Sequence, residues 1–284
     1  MKNKTENISL GLFVLIGVVP FAAAFGYAIL YSFGIIGVVN TGFTLDFWQA
    51  VLASGEFFKS FGYSALIALV SMLISVGGAL WIILKFRNEL EGKFLSYISY
   101  LPLAIPGVVA AFFTLQLFSK GGFFSRVSYN LGWTATAVEF PDLVNDAYAI
   151  GIILAFATMV LPFFVLLFMN VYKNERIQEL SLLAQALGAK KNQVVRKVFL
   201  PIMLQKTWIL IVLYFIFLLG AYEIPLILGQ ESPQMLSVLI IREIKQYDLT
   251  KISEGYVVAV IYTAIVALAA IVLFLPKKHG KYET

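Results

Sequence analysis

Cysteine is absent from all 284 residues, which excludes disulfides, thiolate metal sites and cysteine nucleophiles and leaves the redox compartment open. Charge is scarce: Asp, Glu, Lys and Arg make up 13% of the chain against 60% hydrophobic residues, and the mean hydropathy is +0.88. Soluble domains carry roughly twice that share of charge, so the chain reads as a membrane protein. Histidine occurs once, as His279 in the tail KKHGK, where a basic end resting on lipid headgroups is a better reading than a metal ligand. The sequence has no GxxxxGK[ST] loop to cradle ATP phosphates. HExxH, GxSxG and paired intramembrane aspartates are missing as well, so the motif sets of proteases and hydrolases are not met. A TVGYG-type filter is also lacking, which weakens a channel reading.

What the chain has in abundance is long apolar runs. A helix needs about 20 such residues to cross roughly 30 Å of hydrocarbon. Six runs qualify, at about 10–31, 61–84, 97–118, 149–172, 207–228 and 255–275. They are continuous rather than alternating, which excludes a transmembrane β-barrel. The expected fold is therefore all-α, a polytopic membrane bundle of six transmembrane helices forming one domain over 1–284. The first run follows Lys2 and Lys4 and passes three alanines at 22–24, but it outlasts a signal-peptide core and is read as a retained span. Basic residues set the orientation. Of the 21 Lys and Arg, only Lys59, Lys120, Arg126, Arg242, Lys245 and Lys251 fall in loops on one side. The others share the opposite side with both termini, which makes that side cytoplasmic, N-in and C-in. The net charge of +5 is then explained without nucleic acid as a partner.

The outer loop 32–60 holds Asp46, Trp48, Phe57 and Phe58 and suggests a short amphipathic piece at the membrane interface. Ser71, Ser75 and Ala79 form a small-residue row that lets another helix come close. Pro102 and Pro106 precede Gly107, and Pro20, Pro162 and Pro225 interrupt other runs, each deleting a backbone donor. Interrupted helices suit a bundle around a pathway, although plain bundles have them too. Glu223, in LLGAYEIPLILG, is the exceptional carboxylate inside a run. Either it faces a pathway, with Tyr222, Pro225 and Pro106 on the same route, or it fixes a bend beside Pro225. The sequence leaves both open.

The stretch LLAQALGAKKNQVVRKVFLPIM, 182–203, lies in the longest inner segment, 173–206. Leu180, Leu183 and Leu187 share a helical face, and Gly188 breaks the helix. Val194, Val195, Val198 and Phe199 make a second apolar face before Pro201 stops it. The faces are too short to span a bilayer, and Lys190, Lys191, Arg196 and Lys197 would be costly in lipid. The element either lies on anionic lipid or docks into a groove of a soluble partner. Periodicity does not choose between them.

The same stretch resembles the EAA loop of the permeases of binding-protein-dependent ABC importers, E-A-A-x3-G-x9-I-x-L-P. Ala184, Gly188, Leu200 and Pro201 match it and Val198 stands for its isoleucine, whereas Leu182 and Leu183 replace the glutamate and the first alanine. Glu179, three residues before Leu182, is the acid left to substitute. LPLAIPGVVAAF at 101–112 is similar to the third-span signature of these permeases. GAYEIPLILGQESPQMLSVLI at 220–240 is similar to the fifth-span region of the branch that serves polyamines, ferric iron, thiamine and sulfate, and GFTLDFWQAVL near the start resembles the polyamine branch. Sugar permeases usually read I-D-G-A around the loop glycine, whereas this chain reads A-L-G-A.

The resemblance implies a type I ABC importer permease of the bacterial inner membrane that is not itself an enzyme. The chain would bind no cofactor, since two cytoplasmic ATP-binding cassette subunits would hold ATP and Mg. A second permease subunit, identical or homologous, would complete the pore, and an extracytoplasmic solute-binding protein would deliver cargo. The coupling helix would meet the ATPase through Glu179, Leu183, Ala184, Leu187, Gly188, Ala189, Lys190, Val198, Leu200 and Pro201. A polyamine is the preferred cargo, because acids outnumber bases in the outer loops and Glu223 suits a cation. The alternatives are another cargo of that branch or, from a different class, a nucleotide-independent channel or secondary carrier.

Overall fold

The computed structural model of the chain describes residues 2–40, 42–90, 100–136 and 139–274. The basic tail with His279, Lys93, the first residues of the expected third span and the last residue of the sixth lie outside them. In chain order the first helices are α1 (Lys2–Phe13), α2 (Val19–Ser32), α3 (Asp46–Ser54), α4 (Glu56–Leu90), α5 (Gly107–Phe118), α6 (Phe123–Asn130) and α7 (Ile150–Asn174). Then come α8 (Ile177–Ala186), α9 (Lys191–Val194), α10 (Leu200–Leu219), α11 (Glu223–Leu228), α12 (Leu236–Ile244) and α13 (Leu249–Phe274). Among the described residues there is no strand, and six helices are long and apolar enough to cross a membrane: Ile8–Ser32, Glu56–Arg87, Gly107–Asn130, Ile150–Asn174, Lys191–Leu219 and Leu249–Val272.

The chain divides into two compact units, one comprising the residues up to Ser60 together with those from Val238, the other Phe61–Ser237. In the first, α1 and α2 are joined by a π-turn at Val14–Val18. Pro20 explains it. A proline has no N–H for the carbonyl four residues back and its ring crowds that carbonyl, so the ladder widens, and Val19 N–H donates to Val14 O. α2 packs along α13, and α3 lies against the same helix with Phe47 and Val51 buried. The expected interfacial piece is thus partly core, and its Trp48 stacks on Phe33 with ring centroids 5.3 Å apart. Arg242 donates to Glu56 at 2.5 Å and to Glu243 at 2.8 Å. Burial opposes its charge, but the hydrogen bonds it donates to these two carboxylates, with their negative charge, outweigh burial and raise its pKa above the ordinary value.

In the second unit α7 supplies the core, with Phe156, Phe164 and Phe168 fully buried, and it runs through Pro162 as one helix. Ser71, Ser75 and Ala79 of α4 are fully buried, and Gly78 beside them lies against Leu161 of α7.

Two expected spans are differently built. The third is not one helix over 97–118: a 3-10 turn at Leu101–Ala104 is followed by extended residues 105–106, and the α-helix starts at Gly107. Proline pushes the residue before it out of the α region, and Ile105 accordingly has φ −86° and ψ 121°. The fifth does not run over 207–228. Helix begins at Lys191, inside the expected loop 173–206, and ends at Leu219, while 223–228 is a separate short helix. Pro201 does not stop it. A second π-turn, Val195–Phe199, precedes this proline as the first precedes Pro20, and Leu200 N–H donates to Val195 O five residues back. The widened turn absorbs the missing donor and lets the helix continue.

Candidate functional site

The segment after α7 begins from a buried anchor, Ile177, which is fully enclosed. α8 then ends in a Schellman motif. Ala189 N–H donates to Ala184 O at 3.0 Å, Gly188 N–H donates to Gln185 O at 2.9 Å, and Gly188 has φ +89°. This pairing needs one left-handed residue, and glycine takes it without Cβ strain. The A-x3-G-A spacing therefore has a local physical reason. Ala184 supplies the accepting carbonyl, Gly188 the dihedral and Ala189 the donating N–H. Lys190 is extended, and its N–H donates to Gln193 Oε1 at 2.8 Å, which starts α9.

Along α8 and at its C-terminal cap the leucines are exposed, Leu182 beside a cavity against the rest of the unit. Leu183 is 60% exposed and Leu187 82%, and Leu180 and Leu182 are exposed too. The second apolar face does the reverse: Val194 and Phe199 are buried, Val198 and Leu200 half-buried, and only Pro201 is open to the surroundings. Glu179 is exposed and 3.9 Å from Arg176, an i,i+3 pair of little energetic weight.

The other expected residues meet where two helices break. Pro106 caps α5 in an extended conformation, and Gly107 is its first residue. α10 stops at Leu219, residues 220–222 are not helical, and α11 follows with Pro225 in its first turn, where a missing N–H is tolerated. α11 packs on α5. Glu223 Oε2 lies 2.8 Å from where a Cβ on Gly107 would sit, so the carboxylate stands at the amino end of α5, which carries partial positive charge. Glu223 is exposed and has no cation within ion-pair distance among the described residues. The structure thus unites Glu223 with Pro106, leaves Tyr222 half-exposed and buries Pro225.

This junction is held from several directions. Asn145 N–H donates to Leu228 O at 2.8 Å, Ser237 Oγ donates to Ala221 O at 2.5 Å, and Leu236 N–H donates to Ser64 Oγ at 2.7 Å. At Gly229 the backbone comes so near Pro225 that a Cβ would collide with the Pro225 carbonyl oxygen, with Ile152 Cδ1 3.4 Å away. Sequence reasoning noted Pro106 and Glu223 but missed Gly229. Its neighbours come from α11 and α7, and no local pattern announces them. One continuous helical stretch links the two places. Lys191–Leu219 has 29 residues, about 43 Å at 1.5 Å per residue, starting just after the Gly188 turn and ending at the junction.

The carboxylates expected to give the outer loops an acidic surplus are largely satisfied within the chain. Glu56 and Glu243 share Arg242, Asp142 pairs with Lys120 at 3.3 Å, and Glu254 pairs with Lys251 at 2.6 Å. Asp146 is buried and accepts from Tyr148 N–H and Ile150 N–H, both at 2.9 Å, capping α7. Asp248 accepts from Thr250 Oγ1, and that hydrogen bond, with a second from the Thr250 N–H, lowers its pKa below the usual carboxylate value. Glu223 has no ion-pair partner among the described residues and stands at the helix break.

Comparison with known proteins bears on the whole of this arrangement. Residues 77–276 match the family described as binding-protein-dependent transport system inner membrane component. A comparison with curated protein sequences gave no match. Among solved structures, the chain is similar to a bacterial alginate ABC transporter in complex with an alginate pentasaccharide-bound periplasmic protein. The TM-score is 0.70 at 17% identity, covering 95% of this chain and 91% of that one. It is also similar to a bacterial ABC transporter involved in the import of the acidic polysaccharide alginate, with TM-score 0.65, 17% identity and coverage of 95% and 92%.

Proposed function

The chain belongs to the family of binding-protein-dependent transport system inner membrane components, and from that membership we propose that it forms half of an ATP-driven solute pathway whose gate lies at the Glu223 junction. Two cytoplasmic ATP-binding cassette subunits hold nucleotide and Mg. A second permease subunit completes the pore, and an extracytoplasmic solute-binding protein presents the cargo. Both termini and the Gly188 turn face the cytoplasm, as the distribution of Lys and Arg supports.

One observation carries the mechanism: the helical stretch Lys191–Leu219 starts beside exposed leucines and ends at the broken junction. Leu183 and Leu187 fill a groove of the ATPase, with Glu179 and Lys190 at its polar edge. Closure of the ATPases displaces the turn. Because helical backbone is hydrogen-bonded along its length, the displacement passes through Val198, Leu200 and Pro201 to residues 220–222. There it moves Glu223 against the amino end of α5.

The cargo in this reading is a small organic cation, a polyamine being the preferred class. Support comes from Glu223, an exposed carboxylate without a cation partner among the described residues. The alginate of the similar structures is acidic, and such a chain would be repelled by the same carboxylate. The test is to purify the complex with its binding protein and measure which ligand stimulates ATP hydrolysis and ATP-dependent uptake into liposomes. Amines should stimulate, and Glu223→Gln should cut uptake about tenfold, the effect of weakening one charged hydrogen bond. Stimulation by an acidic saccharide, or full uptake by Glu223→Gln, would overturn the cargo assignment. Transport without ATP and without copurifying ATPase would make the chain a channel or secondary carrier.

A further inference from the structure

Behind the turn, the second unit holds a cavity of about 410 Å³ that the translocation mechanism leaves unused. Pockets that hold small ligands begin at about 300 Å³. Its polar wall is Arg87, Gln178, Gln185 and Lys191, and Leu84, Val195 and Phe199 give it an apolar floor. Among the described residues no Asp or Glu lines it. Leu182, which stands where the EAA pattern has glutamate, is part of the wall and brings no carboxylate. Donors therefore exceed acceptors. Arg87 carries five N–H groups, and one of its nitrogens donates to Leu84 O at 3.3 Å. Lys191 has no carboxylate within ion-pair distance among the described residues.

The position of the cavity is as informative as its wall. α4 leaves helical dihedrals at Phe86 (φ −120°, ψ 17°), and the next residue, Arg87, lies over the Tyr172 ring at 5.7 Å. Arg87 ends one membrane-crossing helix, Glu56–Arg87, and Tyr172 is near the end of another, Ile150–Asn174. Arginine and tyrosine at span ends sit at headgroup depth, with their stems and rings in the apolar layer. The donors of the wall thus lie at the level of lipid phosphates, and Leu84 lies one turn deeper along the span.

We propose that this cavity binds the phosphate headgroup of an anionic phospholipid of the cytoplasmic leaflet, held by Arg87 and Lys191 against the back of α8. The inference rests on the membrane orientation of the preceding subsection. A lipid there bridges the ends of α4 and α7 to α8 and braces the turn that carries Leu187 and Gly188, so coupling depends on lipid charge as well as on nucleotide.

The test is native mass spectrometry of the full chain in detergent with phosphatidylglycerol or phosphatidylcholine. It needs neither nucleotide nor ATPase, so failure of the importer reading leaves its outcome intact. Wild type should retain one phosphatidylglycerol under conditions that strip phosphatidylcholine. Arg87→Gln with Lys191→Gln should weaken retention on the order of 25-fold, about fivefold for each basic side chain near an anionic surface. Lys173→Gln, which removes a nearby charge outside the wall, should retain the lipid. If the double variant does not fold, Leu182→Glu serves instead, since it adds a carboxylate to the wall and removes no donor. Equal retention by wild type and these wall variants would overturn the proposal. Competition by inorganic phosphate at concentrations as low as the lipid's would assign the cavity to a soluble anion, and release of the lipid on adding ATPase subunits would assign it to the partner protein. Either result overturns the lipid.

Discussion

Gly188 and Gly229 both sit where glycine is favoured, and for opposite reasons. Gly188 adopts φ +89°, and a Cβ there would meet nothing within 4 Å. Gly229 has φ −86° and ψ 161°, a conformation open to any residue, but a Cβ would strike the Pro225 carbonyl oxygen. One glycine is favoured for its dihedral and the other for its size. The difference separates a surface shaped for another molecule from a junction shaped by the chain itself. Around Gly188 the leucines are exposed and space is empty, whereas at the junction Asn145 N–H donates to Leu228 O and Ser237 Oγ donates to Ala221 O, so other segments of the chain hold both ends of the break and of α11. Perturbation at the junction should therefore register as lost folding, and perturbation at the turn as lost partnership.

The largest effect expected is that of Gly229→Val. The atom in the way belongs to backbone, which cannot rotate aside, so the cost is about 3 kcal/mol of overpacking. Thermal denaturation in detergent should show it as a lower midpoint and a smaller folded yield. A stable Gly229→Val protein would mean that the junction can open, and the contrast with Gly188 would fail. Next in size is the pair Leu183→Ala and Leu187→Ala. Burying each leucine in a partner groove is worth about 1.5 kcal/mol or more, roughly tenfold in affinity per residue. Stability of the isolated chain should stay within about 0.5 kcal/mol, as for other exposed sites. Affinity for the ATPase subunits, measured by titration, should fall. Unchanged affinity would remove these leucines from the interface.

The two regions were not equally legible in the sequence. The Gly188 turn is local: A-x3-G-A followed by a polar helix start is written in consecutive residues, so spacing alone places the helix end and the exposed face. The spans were legible by the same logic, because length and hydropathy are properties of contiguous runs. Reading failed where distant segments decide. Pro201 looks like a stop, but a π-turn at Val195–Phe199 carries the helix through it, anchored by Phe199 and Met203, both buried. The apparent run 207–228 hides a break at 220–222, because the residues that bond into it, Ser237 at Ala221 and Asn145 at Leu228, lie elsewhere in the chain. Charges misled in the same way. Counting outer acids suggests a field for cations, yet Arg242, Lys120 and Lys251 hold several of them, and only the folded arrangement shows which are paired.

The smallest expected effect divides the two possible demands on Gly188. A β-branched valine at positive φ is strained by about 1–2 kcal/mol, with no clash added, since the surrounding space is empty. Gly188→Val should insert normally but loosen the Schellman turn, and ATPase association should weaken by about tenfold. Asparagine tolerates the left-handed region far better, so Gly188→Asn should keep the turn within a few tenths of a kcal/mol. If the turn alone is what the partner reads, Asn restores association and ATP-dependent uptake to near the wild-type level while Val does not. If the partner groove presses close on Gly188, both variants lose association alike, because any side chain fills the space that is open in the isolated chain. Titration of ATPase subunits against the two variants, with amide exchange at Ala189 reporting the hydrogen bond to Ala184, separates a requirement for dihedral from a requirement for room. The second result would bring the turn nearer to Gly229 in kind, with the crowding supplied by another molecule.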